Sequence, residues 1–76
     1  MVTKKVRMDF RKEVADKLRQ TRLDAGLSQK QVAENMGVKQ SFVSKLESGT
    51  SNTRLETLSR YAFACGRRLV PRITPR

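Results

Sequence analysis

Residues 27–49 carry the sequence LSQKQVAENMGVKQSFVSKLESG, which predicts two short amphipathic helices joined by a tight turn. Ser28 and Gln31 have the spacing of a capping box, in which the serine hydroxyl accepts a backbone N–H and the glutamine side chain returns to the serine backbone. The first helix of the pair is therefore expected to begin at Gln29. Gly37 ends it, because glycine readily adopts the positive φ of a sharp turn.

The second predicted helix runs from about Gln40 to Ser48 and has two different faces. Val43 and Leu46 lie at helical spacing on the inner face. We expect Phe42, between the two faces, to pack on a neighbouring helix or loop. The outward face is polar and consists of Gln40, Ser41, Ser44 and Lys45. Two such helices form the pattern of a helix-turn-helix, whose second helix lies in the major groove of DNA.

The charge of the chain favours a polyanionic partner. Its 76 residues include 17 Lys and Arg against seven Asp and Glu, a formal net charge of +10, which suits nucleic acid. A chain of this length is one small domain in which an enclosed enzyme pocket is hard to build. No apolar run approaches the ~20 residues that span a bilayer, so we expect a cytoplasmic protein without a membrane partner.

The residues predict no catalytic, metal or cofactor site. The chain has no histidine and a single cysteine, Cys65. A zinc site would therefore lack its usual ligands, and the usual catalytic combinations of residues are missing. We therefore expect no enzyme activity, no metal and no cofactor. Cys65 is expected to be a small apolar residue of the last helix.

The flanking segments complete the predicted domain organisation, with an arm or short strand at residues 1–8, a helix-turn-helix domain at residues 9–66 and a basic strand or tail at residues 67–76. Asp9 is expected to cap the first helix, and Thr53 with Glu56 offers a second capping box for the last one. Leu55, Leu58, Ala62 and Cys65 are expected to line the inner face of that helix. The predicted fold is all-α, a compact four-helix domain with short terminal extended or β segments.

The outward face of the second helix supplies the predicted DNA base contacts. Gln40 can bond bidentately to adenine, and Lys45 can reach guanine or a phosphate. The alternative is a merely solvated polar face, which the preceding capped helix and glycine turn make less favourable. The predicted base contacts are Gln40, Ser41, Ser44, Lys45 and Lys39.

Polar residues around the pair supply the predicted phosphate contacts. For residues 50–54 the alternative is an ordinary turn or cap role. They are Gln29, Ser28, Thr50, Ser51, Asn52, Thr53 and Arg54.

Residues 13–66 resemble the Cro/C1-type helix-turn-helix domain, also called the XRE family. The residues that carry this resemblance are Leu18, Arg22, Gly26 to Gln29, Val32, Ala33, Met36 to Val38, Val43, Leu46 to Gly49 and Leu55 to Leu58. The resemblance implies that Gln29 contacts phosphate and braces Gln40, which reads a base. It also implies a buried ion pair between Arg22 and Glu47 that ties the first helix to the reading helix.

The C-terminal residues resemble the strand of HipB-like antitoxins, which pairs with its mate in a dimer. Pro71 disfavours a strand, because it lacks a backbone N–H. The resemblance implies a two-fold dimer, with Leu69, Val70 and Ile73 as the dimerisation residues.

Two functions fit these features. The first is a homodimeric repressor that reads a pseudo-palindromic double-stranded DNA operator with the second helix of the motif. The alternative is an antitoxin that neutralises a partner toxin protein and autoregulates its operon. A single-strand binder predicts aromatic residues interleaved with the charge, whereas this chain has only four aromatic residues, and they do not cluster.

Overall fold

The computed structural model describes residues 4–50 and 53–75, with residues 4–9 described by their backbone only. It contains four α-helices and, within the described residues, no strand. This confirms the all-α, four-helix prediction. The helices are α1 (Lys4–Asp24), α2 (Gln29–Met36), α3 (Gln40–Leu46) and α4 (Leu55–Ala64).

The capping box and glycine turn that connect α2 and α3 are formed as predicted. The backbone N–H of Gln31 donates to Ser28 Oγ at 3.0 Å, and the Ser28 N–H donates to Gln31 Oε1 at 2.8 Å. Gly37 ends α2 with φ +72°, the left-handed conformation that glycine favours. α3 ends at Leu46, slightly earlier than expected, and Glu47 is its C-cap.

The hydrophobic core lies where the four helices meet. Val32 of α2 and Val43 of α3 are fully buried, and Val38 of the turn packs against them. Cys65 is 4% exposed within this core, which confirms its apolar role. The other buried members of this cluster are Leu18, Ala33, Met36, Leu46, Tyr61 and Ala64. None of the helices in the described residues is long and apolar enough to cross a membrane.

The N-terminal arm was predicted incorrectly wherever the structure describes it. α1 begins at Lys4, so residues 4–8 are helical and Asp9 is not an N-cap; residues 1–3 lie outside the described range. Alternation over seven residues is a short signal. Val6 also precedes Phe10 by four residues, which continues the helical spacing of Phe10 and Val14 backwards, and no glycine or proline interrupts residues 4–24.

The start of α4 also differs from the prediction. The N-cap is Arg54, which forms no side-chain cap, and its carbonyl accepts the N–H groups of Thr57 and Leu58. The Thr53–Glu56 box requires a helix that begins one residue earlier, so it does not form. Leu55 at the first position of the helix is 76% exposed and does not line the core.

Residues 67–75 have no regular secondary structure, so the predicted C-terminal strand is absent from the described chain. Pro71 lacks a ladder donor. In addition, Leu69, Val70 and Ile73 are 41%, 61% and 99% exposed, so little apolar burial holds the segment in one conformation.

Gly49, in the turn after α3, lies close to the backbone of α1. Its φ is +79°, and an added Cβ would lie 3.3 Å from Lys12 Cα. Gly37 has a similar φ of +72°, but a Cβ there meets nothing within 4 Å.

We expect Gly37→Ala to lower the free energy of unfolding by about 1 kcal/mol, the cost of a left-handed alanine. Gly49→Ala should cost ~1 kcal/mol more, because α1 must also move away. Urea denaturation followed by circular dichroism measures both losses. Equal losses for the two variants would contradict the close packing of α1 on this turn.

Candidate nucleic-acid interface

The outer face of α3 presents polar side chains to solvent. Gln40 and Ser44 are four residues apart, as are Ser41 and Lys45, and all four are exposed together with Lys39. On the opposite face, Val43 is 0% and Leu46 is 6% exposed. The structure therefore brings all five predicted base-contacting residues to one accessible surface, while apolar burial fixes the helix behind them.

The carboxylate of Glu47, at the end of α3, is the centre of a buried polar network. Arg22 of α1 donates to both of its oxygens, from Nε to Oε2 at 2.8 Å and from Nη2 to Oε1 at 3.0 Å. Gln29 Nε2, at the start of α2, donates to Oε1 at 3.2 Å. The Arg22 Nη1 group also donates to the Leu27 carbonyl at 3.0 Å. This arrangement is the ion pair that the resemblance implied, with Gln29 as an added member.

Tyr61 of α4 completes the network. It is 0% exposed, and its Oη lies 2.6 Å from Glu47 Oε2 and 3.0 Å from the Leu18 carbonyl oxygen. A phenol has one proton to donate, and the shorter, charge-assisted bond to the carboxylate is the stronger of the two. All four helices are therefore joined through Glu47.

The network sets the protonation of its members. Burial alone raises the pKa of Glu47, but hydrogen bonds from Arg22, Tyr61 and Gln29 outweigh it and hold the pKa below its ordinary value. The hydrogen bond to Glu47 raises the pKa of Arg22, and burial raises the pKa of Tyr61. The ion pair is therefore fully charged at neutral pH.

Comparisons with known proteins agree with this geometry. A family model described as helix-turn-helix matches residues 18–70, a range that contains α2, the Gly37 turn, α3 and α4. The chain belongs to the helix-turn-helix family. It is 37% identical over 68 residues to an uncharacterized HTH-type transcriptional regulator, y4dJ of Sinorhizobium fredii (strain NBRC 101917 / NGR234), an alignment that covers 90% of this chain and 88% of that protein. No solved structure matches the chain significantly. The family match supports the Cro/C1-type resemblance.

Two predicted phosphate contacts of this helix-turn-helix domain lie at the start of α2. Ser28 is exposed, and because its Oγ serves the capping box as an acceptor, its hydroxyl proton is left to donate. Gln29 is half-buried and donates to Glu47, a contact that the sequence did not indicate. It therefore ties α2 to the network rather than pointing freely outward.

The remaining predicted phosphate contacts lie between α3 and α4. Thr50 is exposed, and its Oγ1 is 2.8 Å from Ser48 Oγ, which itself donates to the Lys45 carbonyl. Arg54 is exposed and Thr53 is half-buried. Ser51 and Asn52 lie outside the described residues.

Three residues of the helix-turn-helix domain, Tyr61, Asn35 and Arg60, have structural roles that were not predicted from the sequence. Tyr61 is fully buried, and its spacing of three residues from Leu58 is the signal that indicates the inner face of α4. Asn35 Nδ2 donates to the Ala64 carbonyl at 2.9 Å, and Arg60 Nη2 donates to the Met36 carbonyl at 2.7 Å. These two bonds connect the end of α2 to α4. They depend on the packing of distant segments, which local spacing does not encode.

We expect Glu47→Gln to reduce the free energy of unfolding by ~3 kcal/mol at pH 7, because it leaves Arg22 buried without a partner charge. The pKa of Glu47 in the folded protein lies below its ordinary value of 4.5. Between these two pKa values the unfolded chain binds more protons than the folded one, so the free energy of unfolding decreases as the pH is lowered. The gap between wild type and Glu47→Gln should therefore narrow as the pH falls from 6 to 3 in urea titrations.

Two further variants sharpen this test. Glu34→Gln removes an exposed carboxylate of α2 and should leave the wild-type pH dependence almost unchanged. Tyr61→Phe removes one hydrogen bond that lowers the Glu47 pKa, so it should weaken the acid dependence while preserving the ion pair. A gap between wild type and Glu47→Gln that is as large at pH 3 as at pH 7 would contradict the assigned protonation.

Proposed function

We propose that this chain is a homodimeric repressor that inserts α3 into the major groove of a pseudo-palindromic operator. The observation that carries the proposal is the exposed polar face of α3, which the buried Glu47 network holds in a fixed position on a domain with a net charge of +10. A major groove admits one helix, and its base edges require side chains that donate and accept. Binding of the dimer at a promoter represses transcription by occluding the site.

Each residue of the α3 face has a proposed role. Gln40, at the first turn, bonds to an adenine edge through its amide, and Ser41 and Ser44 allow close approach and hydrogen bonds to neighbouring bases. Lys45 reaches guanine or a phosphate, and Lys39 places a cation at the entrance of the groove. The proposed phosphate contacts are Ser28, Gln29, Thr50, Ser51, Asn52, Thr53 and Arg54, which set the orientation of α3 rather than the sequence preference.

Selection of bound duplexes from a random pool tests this function and yields the half-site and the half-site spacing together. We expect two inverted half-sites about one helical turn, ~34 Å, apart. Gln40→Ala should reduce affinity at least tenfold and relax preference at one base pair, since a bidentate contact contributes ~1–3 kcal/mol of discrimination. Lys45→Ala should lower both affinity and the salt dependence of binding.

Lys17→Ala is a charge-matched control, because Lys17 borders the groove between α1, α4 and the C-terminal segment. It should preserve base preference. Unchanged binding by both Gln40→Ala and Lys45→Ala would show that α3 is not the reading helix.

The dimer contact is proposed for the C-terminal segment. The side chains of Leu69, Val70 and Ile73 are exposed in the C-terminal segment, and Ile73 is 99% exposed. Large exposed apolar patches mark sites of protein contact, and these three side chains lie within five residues of one another. A two-fold dimer covers them by pairing the same patch from both copies.

We expect replacement of Leu69, Val70 and Ile73 by serine to shift the protein from dimer to monomer in sedimentation velocity. Binding to an operator with two half-sites should weaken more than tenfold, because the two domains then bind independently. The paired control is Leu55→Ser with Phe63→Ser, which removes two other exposed apolar side chains. A triple variant that sediments like wild type would exclude this contact.

The antitoxin function is kept as a second candidate because of one surface. Leu55 and Phe63 of α4 are 76% and 83% exposed, with Ser59 midway between them on the same helical stripe. Phe63 borders a depression with Asn35 and Arg60 that none of the proposed base-contacting residues lines. A stable complex with the protein encoded by a neighbouring gene, lost in the Leu55→Ser, Phe63→Ser variant, supports this candidate.

A further inference from the structure

An apolar depression lies on the outer side of α3. Its walls are Val38, Lys39, Ser41, Phe42 and Lys45, and most of its surface is carbon. Phe42, which we expected to pack on a neighbouring helix or loop, is 41% exposed here, whereas the adjacent Val43 is fully buried. An aromatic ring is therefore presented on the face of the helix that otherwise carries polar residues.

The position of Phe42 along α3 places it among the proposed base-contacting residues. Phe42 precedes Lys45 by three residues, so the two side chains lie on neighbouring turns of α3. Val38, in the turn before α3, lines the same depression. Ser41 borders the same depression. An approach of Ser41 and Lys45 to base edges therefore brings the exposed part of the Phe42 ring to the same edges.

When α3 lies in the major groove, the groups that this depression can bind are those that the base edges expose there. Adenine, guanine and cytosine present hydrogen-bonding atoms there, whereas thymine also presents a C5-methyl group. That methyl is the apolar feature that a phenyl ring and a valine side chain can cover without leaving a base donor or acceptor unpaired. A hydrogen-bonding partner for Phe42 in the groove is chemically excluded.

We propose that Phe42, supported by Val38, binds the C5-methyl group of one thymine in each half-site and is a specificity-determining residue. The inference rests on the proposed function, because it requires α3 to lie in the major groove. Burial of one methyl group contributes ~0.8 kcal/mol, which corresponds to about a fourfold change in dissociation constant.

The test uses the selected operator with each thymine replaced in turn by uracil, which lacks only the methyl group and keeps every hydrogen-bonding atom. Wild-type protein should lose about fourfold in affinity at one thymine of each half-site, measured by fluorescence anisotropy. Phe42→Ala should bind the thymine and uracil duplexes equally at that position. Phe42→Leu, which keeps an apolar side chain, should retain part of the difference.

Gln40→Ala is the matched control within α3. It should bind all duplexes more weakly yet preserve the thymine-to-uracil ratio at the Phe42 position. Circular dichroism of each variant verifies that the helices are intact. The methyl contact is assigned to Phe42 if Phe42→Ala loses both affinity and the thymine-to-uracil affinity ratio, while Gln40→Ala keeps that ratio.

Three results would overturn the inference. One is a half-site without thymine; another is an operator on which every uracil replacement is neutral for wild-type protein. The third is a sensitive thymine whose effect is the same in Phe42→Ala as in wild type. The second and third results leave the proposed function untouched, because neither bears on the base contacts of Gln40 and Lys45. A half-site without thymine has no A·T pair, so it also contradicts the adenine contact proposed for Gln40. A random pool that yields no consensus contradicts the proposed function itself, and this inference with it.

Discussion

The buried carboxylate of Glu47 holds the four helices in one arrangement. It accepts four hydrogen bonds, two from Arg22 of α1 and one each from Gln29 of α2 and Tyr61 of α4. A buried charge is costly unless it is paired and fully hydrogen-bonded, and within the described residues no buried side-chain nitrogen or oxygen lacks a partner. The position of α3 therefore depends on charge pairing behind it, while its outer face is left for a ligand.

The central part of the fold was predictable because its signals are local. The capping box of Ser28 and Gln31 and the positive φ of Gly37 are decided within a few residues, and the structure forms both. The outer and inner faces of α3 follow from helical spacing alone. The ion pair between Arg22 and Glu47, which are 25 residues apart, was predicted from the family resemblance, since no spacing rule links residues at that distance.

The errors lie where a local signal was weak or tertiary packing decided the outcome. Residues 4–8 alternate like a strand, but only over a short distance. The helical spacing of Val6, Phe10 and Val14 extends further along the chain, and residues 4–24 form one helix. The Thr53–Glu56 spacing matched a capping box, yet α4 begins after Arg54. The role of Tyr61 was not predicted, because its hydroxyl binds Glu47, a residue of another segment. We expected Phe42 to pack on a neighbouring helix or loop, but 41% of its surface is exposed, whereas Val43 and Leu46 of the same helix are buried.

Nuclear magnetic resonance titration with a selected operator duplex tests the central claim, that the outer face of α3 is the DNA surface. We expect large shifts for the backbone amides of residues 39–45 and for the side-chain amide of Gln40. The side-chain amide of Gln20, which is bound to Asp24 on α1, should stay nearly unchanged. Shifts concentrated on α1 or α4, with α3 and Gln40 unaffected, would contradict the assignment of α3 as the DNA surface.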